Sequence, residues 1–207
     1  MSLRISVFIS GSGTTLKNLI DHQQHHELNA EIVQVISSDP AAAGLPFAQQ
    51  ANIPAETVDY RKFQTQEDFS QTIFELVRSS SSQLIVLGGF LRKLVVPQDF
   101  ENRIINIHPS LIPAFCGRGM YGRRVHQAVL DYGCKLTGCT VHFVDNQYDH
   151  GPIIAQHPVS VFDDDDVQTL AARVFAEECW LYPQVINAFA EGQVSVKERQ
   201  VTISPTD

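Results

Sequence analysis

Gln83-Leu84-Ile85-Val86-Leu87-Gly88-Gly89 sets four apolar residues in succession with no polar alternation. A strand of that kind has no face to give to water, and near-continuous apolar runs belong to parallel sheets covered on both sides. The segments around it agree. Ile5–Ile9 is a short β-rich run that ends in Ser10-Gly11-Ser12-Gly13-Thr14-Thr15, after which Leu16, Leu19 and Ile20 recur at helical spacing. Ile32–Ile36 predicts a second strand, Ala43–Ala51 a helix, and Glu56–Val58 a short strand. Phe69, Ile73, Leu76 and Val77 form a helical stripe within Glu67–Val77. Arg103–His108 predicts a strand closed by Pro109, and Met120–Leu130 a helix ending near Gly133. Leu136–Val144 and Pro152–Val161 predict two strands joined by a turn. A last helix follows Asp163–Asp166 and carries Leu170, Val174, Leu181, Val185 and Ile186, with Pro183 expected to kink or divide it. Gln193–Ser204 is a strand-like tail, and Pro205–Asp207 is expected to fray. This alternation predicts the α/β class: a doubly wound, mostly parallel sheet with mixed strands in its C-terminal half. Ligands then belong beyond the carboxyl ends of the strands, from Ser10, from Gly89 and over Asn106–Pro109.

At 207 residues the chain is long enough for one full core, and no internal repeat, linker or boundary divides it. Lys plus Arg number 15 against 23 Asp plus Glu, and the net −8 is the wrong sign for a duplex-binding face. It leaves room for a small anion held locally. Met1-Ser2-Leu3-Arg4 runs straight into the first strand, without the apolar region of a signal peptide, so the expectation is a cytoplasmic chain with no membrane partner. Cys116, Cys134, Cys139 and Cys179 then read as reduced thiols. Cys139 and His142, with Cys134 upstream, hint at a metal, but residues three apart on a strand leave from opposite faces and a structural site needs four converging ligands. No metal is expected. The Asp163–Asp166 run reads as capping and favourable charge at a helix start.

Two segments carry chemistry. Ser10–Thr15 places two glycines and hydroxyl-bearing residues at a helix N-terminus, where free N–H groups and the helix dipole favour an anion. It lacks the Gly-Lys-Ser/Thr ending of a P-loop, and Leu16 stands where a dinucleotide fingerprint has its third glycine. Either it binds a single phosphate or it is a plain tight turn. In Asn106-Ile107-His108-Pro109-Ser110-Leu111 the Asn and His are two apart on a strand, so both leave from one face at its ligand end. An Asn amide can donate to a developing oxyanion and a His can give or take a proton near neutral pH. The alternative is a capped strand end with a hydrogen-bonded core histidine. A carboxylate beside the imidazole decides between them, and the candidates are Asp145 and Asp149.

These residues resemble a family, the phosphoribosylglycinamide formyltransferases of purine biosynthesis. The resemblance runs nearly end to end. It rests on Ile9–Leu16, Leu87-Gly88-Gly89-Phe90-Leu91-Arg92, Asn106–Pro113, Gly138–Asp145 and Tyr148–Ile154. It implies a formyltransferase-like fold with a Rossmann-type N-terminal half. Residues 1–207 would form a single formyltransferase domain, with 1–100 the phosphate-binding half and 101–207 the catalytic and folate-binding half. It implies Asn106, His108 and Asp149 as the catalytic set. Gly13, Thr14 and Thr15 match the loop that binds the phosphate of glycinamide ribonucleotide, and Glu178 a glutamate that contacts its ribose. Leu91, Arg92 and Leu94, with Asp145, Asn146, Gln147 and Tyr148, match the pteridine pocket of the co-substrate 10-formyltetrahydrofolate. The implied mechanism is direct transfer with no metal and no covalent intermediate, by a monomer or homodimer.

The chain departs from the family in two places. Where some relatives carry a folate-contacting arginine near Gln66, only Arg61 and Lys62 are close. The Phe115–Arg124 loop is longer than in the shortest relatives; its glycines imply mobility, and its arginines either meet an anionic substrate group or lie on the surface. A methionyl-tRNA formyltransferase is expected to carry a further RNA-binding domain. The alternatives that remain are a 10-formyltetrahydrofolate hydrolase and a non-catalytic phosphate- or folate-binding module.

Overall fold

The elements run in chain order as β1 (Leu3–Ile9), α1 (Thr14–Gln24), β2 (Ala30–Ser37), α2 (Leu45–Gln50), β3 (Ala55–Thr57), α3 (Gln66–Ser80), β4 (Leu84–Leu87) and β5 (Ile104–His108). They continue with α4 (Arg123–Tyr132), β6 (Leu136–Phe143), β7 (Ile153–Ser160), α5 (Val167–Ala190), β8 (Val194–Lys197) and β9 (Gln200–Ile203). This computed structural model describes residues 2–204, so the expectation for Pro205–Asp207 lies outside the described residues. Seven strands form one sheet in the order β3-β2-β1-β4-β5-β6-β7, and β8 pairs with β9 in a separate ribbon. The predicted α/β class, parallel at the start and mixed at the end, is the observed one. The chain divides into two units, Met1–Ile105 and Asn106–Asp207.

In the first unit β1 pairs in parallel with β2 on one side and β4 on the other. All four residues of β4 are buried, as an apolar run without alternation requires. Phe8, Phe69 and Phe90 pack ring against ring over this sheet. α3 brings Phe69 there: its buried face is Phe69, Ile73, Phe74 and Val77, and Thr65 caps it by accepting from Asp68 N. The strand order reverses between β1 and β4, the place where open α/β sheets leave a ligand crevice. The loops after these two strands are tied together there. Ser10 N donates to Gly89 O at 3.1 Å, and Leu91 N donates to Ser10 Oγ at 2.9 Å.

In the second unit β6 and β7 form an antiparallel pair that α5 covers. Of the kink or division expected at Pro183, the division does not occur: α5 runs as one helix from Val167 to Ala190. Proline costs this helix a backbone hydrogen bond, but Leu181, Tyr182, Pro183, Val185 and Ile186 are all buried, and that packing keeps the segment helical. At its start Asp166 accepts from Gln168 N and Thr169 N while Thr169 Oγ1 accepts from Asp166 N, a full capping box. Asp165 grips Arg173 through both carboxylate oxygens, which holds its carboxyl well below the usual range. The aspartate run therefore works as a helix start.

Two boundaries differ from expectation. α4 begins at Arg123 rather than Met120 because Gly122, at φ +53°, turns the chain just before it; it ends as expected at a left-handed Gly133. The tail is a hairpin rather than one strand, turning at Glu198-Arg199 with Glu198 at φ +55°. Glu and Arg carry none of the usual signal for such a turn. Among the described residues no helix is long and apolar enough to cross a membrane.

Candidate active site

In the first unit Gly13 is the N-cap of α1, at φ +70°, and Thr14 and Thr15 open the helix. Gly13 has no side chain to cap with and the first turn holds no acidic residue, so neither an N-cap side chain nor a first-turn carboxylate competes for the amides there. The loop is held from behind by a segment the sequence did not single out. Gly44 N donates to Gly11 O at 3.0 Å, Ser38 N donates to Ile9 O at 3.1 Å, and Ser10 Oγ and Ser38 Oγ share a hydrogen bond at 2.7 Å. Gly13 and Gly44 pack backbone to backbone: a Cβ on Gly44 would stand 2.7 Å from Gly13 Cα and 2.8 Å from Ile9 Cδ1. Of the residues matched to the folate, Leu91 is 52% exposed and Leu94 is in the core at 4%. Arg92 lies over the Tyr60 ring, 4.6 Å from its centroid. Arg61 is taken up by its own turn, with Nε 2.9 Å from Asp59 Oδ1 and Nη2 3.6 Å from Asp39 Oδ1.

In the second unit the predicted trio comes together. Asn106 and His108 leave β5 from one face, and His108, its last residue, is 3% exposed. Asp149 sits in the β6–β7 loop at φ +51°, a left-handed position. Its Oδ2 lies 3.7 Å from His108 Nδ1, within ion-pair range but longer than a direct hydrogen bond. Asp145 is engaged within its own loop: it accepts from Gln147 N at 2.7 Å and pairs with His150 Nδ1 at 3.1 Å. Asn146, Gln147 and Tyr148 form the exposed rim of that loop. Gly151 closes it against the Phe143 backbone, where a Cβ would overlap the carbonyl.

The fourth member is His142, on β6. Its Nε2 is 3.2 Å from Asn106 Nδ2 and 3.8 Å from Asp149 Oδ1, and its Nδ1 donates to Phe143 O at 2.8 Å. Cys139, paired with it in the metal reading, is fully buried, and burial, with Glu178 and Glu177 adding to it, pushes its thiol up to about 12. Among the described residues no three His, Cys, Asp or Glu side chains are grouped to hold a metal ion. Strand spacing set His142 apart from Cys139, but nothing in the sequence said that it would meet Asn106, since that depends on the positions of β5 and β6.

The Phe115–Arg124 loop is engaged at its start. His108 Nε2 donates to Phe115 O at 2.9 Å, and Gly117 N, at φ +94°, donates to Asp149 Oδ2 at 2.8 Å. Arg118, Arg123 and Arg124 are exposed, and Arg124 stacks on Tyr121.

Glu178 projects from α5, half-buried, and among the described residues nothing hydrogen-bonds or pairs with it. Burial alone pushes its carboxyl up to about 8. A carboxyl raised in the folded state is most stabilising when protonated, so its contribution is complete below the ordinary glutamate range and is lost as pH rises through about 8. Urea melts from pH 5 to 9 should show stability falling with a slope approaching about 1.4 kcal/mol per pH unit, one proton's worth. Glu178→Gln should flatten it; an unchanged slope in the variant would assign the titration elsewhere.

The Formyl transferase family model matches residues 3–186. The chain is 36% identical over 198 residues to a phosphoribosylglycinamide formyltransferase of Haemophilus influenzae, spanning 94% of this chain and 91% of that protein. It is 38% identical over 198 residues to the trifunctional purine biosynthetic protein adenosine-3 of Gallus gallus; the match takes in 95% of this chain but only 19% of that longer relative. Among solved structures, glycinamide ribonucleotide transformylase 1 from Symbiobacterium toebii matches with a TM-score of 0.91 and 38% identity, over 98% of this chain and 94% of that one. A phosphoribosylglycinamide formyltransferase from Coxiella burnetii matches at 0.88 and 37% over the same shares. A formyltetrahydrofolate deformylase from Pseudomonas syringae, at 0.85 but 23% identity, shares the fold. The chain belongs to the phosphoribosylglycinamide formyltransferases, within the wider formyl transferase family.

Proposed function

We propose that this chain transfers the formyl group of 10-formyltetrahydrofolate to the amino group of glycinamide ribonucleotide, and that it does so in the cytoplasm. The observation that carries this reading is the convergence of Asn106, His108, His142 and Asp149 at the end of β5, in a chain that matches its relatives nearly end to end. The folate supplies an electrophilic formyl carbon, and attack by the amine puts negative charge on the formyl oxygen.

The chain's residues then have three tasks. Asn106 donates an amide N–H to that oxygen, and a protonated His108 adds a positive charge beside it. Asp149, 3.7 Å from the imidazole, stabilises that positive charge and organises a water that carries the proton lost by the attacking amine to the folate nitrogen as its bond to the formyl carbon breaks. Gly13, Thr14 and Thr15 hold the phosphate of the amine substrate through the free amides of α1, and Glu178 takes its ribose; a carboxyl without a protein partner suits a hydroxyl-bearing ligand. To the folate we assign Leu91, Arg92 and Leu94 together with Asp145, Asn146, Gln147 and Tyr148. Phosphate binding then falls to the N-terminal part of a single functional domain, and catalysis to the C-terminal part.

Purified protein given 10-formyltetrahydrofolate should release tetrahydrofolate only when glycinamide ribonucleotide is present, in equal amounts with formylated product. Equal release without the amine would identify a hydrolase. Binding of both ligands without turnover would leave a binding module.

A further inference from the structure

The inference concerns His142 and rests on the reading of Asn106 as the oxyanion donor. A primary amide has an NH2 end and a carbonyl end of nearly the same shape, so packing does not decide which end faces a substrate; hydrogen bonding does. For Asn106 the deciding partner is His142. The Phe143 carbonyl 2.8 Å from His142 Nδ1 can only accept, so Nδ1 carries a proton. In the neutral ring Nε2 is then a lone pair, and the Asn106 group 3.2 Å from it has to be the NH2 end. We propose that His142 is a positioning residue: by accepting one N–H of Asn106 at Nε2, it aims the second N–H of the same nitrogen at the reacting oxygen.

Protonation of His142 reverses this arrangement. Both ring nitrogens then donate, Asn106 turns its carbonyl toward the ring, and an acceptor stands where the oxyanion needs a donor. Burial holds the imidazole below its ordinary histidine value, and the His108 charge adds to that effect. The Phe143 carbonyl, Asp149 at 3.8 Å and the more distant Asp145 work in the opposite direction. The side chain is 2% exposed, so a second proton has little access to water for its charge. His142 therefore touches neither reactant and acts through the amide it orients.

The test pairs a spectroscopic readout with kinetics. In 15N-histidine-labelled protein near pH 7, the His142 ring should show a protonated Nδ1 and an unprotonated Nε2. His142→Leu, which removes the acceptor, should lower kcat about tenfold, the worth of one hydrogen bond of about 1.4 kcal/mol, with both KM values little changed. His142→Gln restores an acceptor that does not titrate; it should recover most of the lost kcat and remove one ionisation from the acid limb of the pH–kcat profile. A proton found on Nε2, or a Gln variant no better than Leu, would overturn the proposal. Should the Leu variant fail to fold, the ring spectrum and the Gln profile still decide. Asn106→Ala separates the two levels: full activity in that variant would defeat the oxyanion reading, whatever the tautomer of His142.

Discussion

His108→Ala will lower kcat by about 10²- to 10⁴-fold, the range for loss of a positioned acid–base group. Steady-state turnover of 10-formyltetrahydrofolate with glycinamide ribonucleotide measures it, and a wild-type rate would end the proposed mechanism. His108 does more than chemistry, because its Nε2 also holds the Phe115 carbonyl. Truncation to alanine leaves that carbonyl only the longer bond from Ser110 Oγ, at 3.4 Å, and a loss of order in the loop would mimic a chemical defect. His108→Gln separates the two, since a glutamine amide still donates to the carbonyl but takes no proton. It should be nearly as inactive as alanine. Asn106→Ala should cost about 10²- to 10³-fold, as loss of an oxyanion donor does. The double variant should fall well short of the product of the two losses, because residues that act on one transition state are not additive.

Gly13→Ala and Gly44→Ala will each disable the phosphate loop, the first more severely. The two glycines pack backbone against backbone, so a methyl on either must push the other away. Overpacking of this kind costs about 1–3 kcal/mol. At Gly13, φ +70° adds roughly 1–2 kcal/mol because a Cβ is unfavourable in left-handed backbone. Gly44 has an ordinary φ of −77° and should show the packing cost alone. Relief comes by moving the loop, which misaligns the free amides of α1. The KM for glycinamide ribonucleotide should therefore rise more than tenfold, about 1.4 kcal/mol of lost binding, while the KM for the folate stays near wild type. Denaturant melts report the stability cost in parallel. An unaltered KM for the phosphorylated substrate in Gly13→Ala would remove the phosphate role from this loop.

How much of this was legible beforehand follows from the range of each interaction. β1, β4 and α3 were read nearly to their ends because burial on both faces and a 3.6-residue stripe are local patterns. The aspartate run was legible for the same reason, since the capping box spans only the four residues from Asp166 to Thr169. The hairpin at Glu198-Arg199 and the unbroken helix across Pro183 were not, because a turn without glycine and a proline held by its neighbours' burial depend on packing from outside the segment. The site divides in the same way. Asn106 and His108 could be placed on one face from their spacing, whereas spacing left Asp149 and Asp145 equal; the family resemblance chose Asp149, and the loop between β6 and β7 brings it within ion-pair range of His108.

The sequence by itself determined the class of sheet, the strand ends at which ligands bind, and the residue types able to bind a phosphate and manage a proton. Those are properties of segments about ten residues long, where backbone geometry ties spacing to direction. The tertiary structure alone decided which groups meet: His142 with Asn106 across 36 positions, Gly117 with Asp149 across 32, and Gly44 behind Gly13. Contacts of that length arise only when the packed sheet and its loops bring distant segments together, and no local pattern records them.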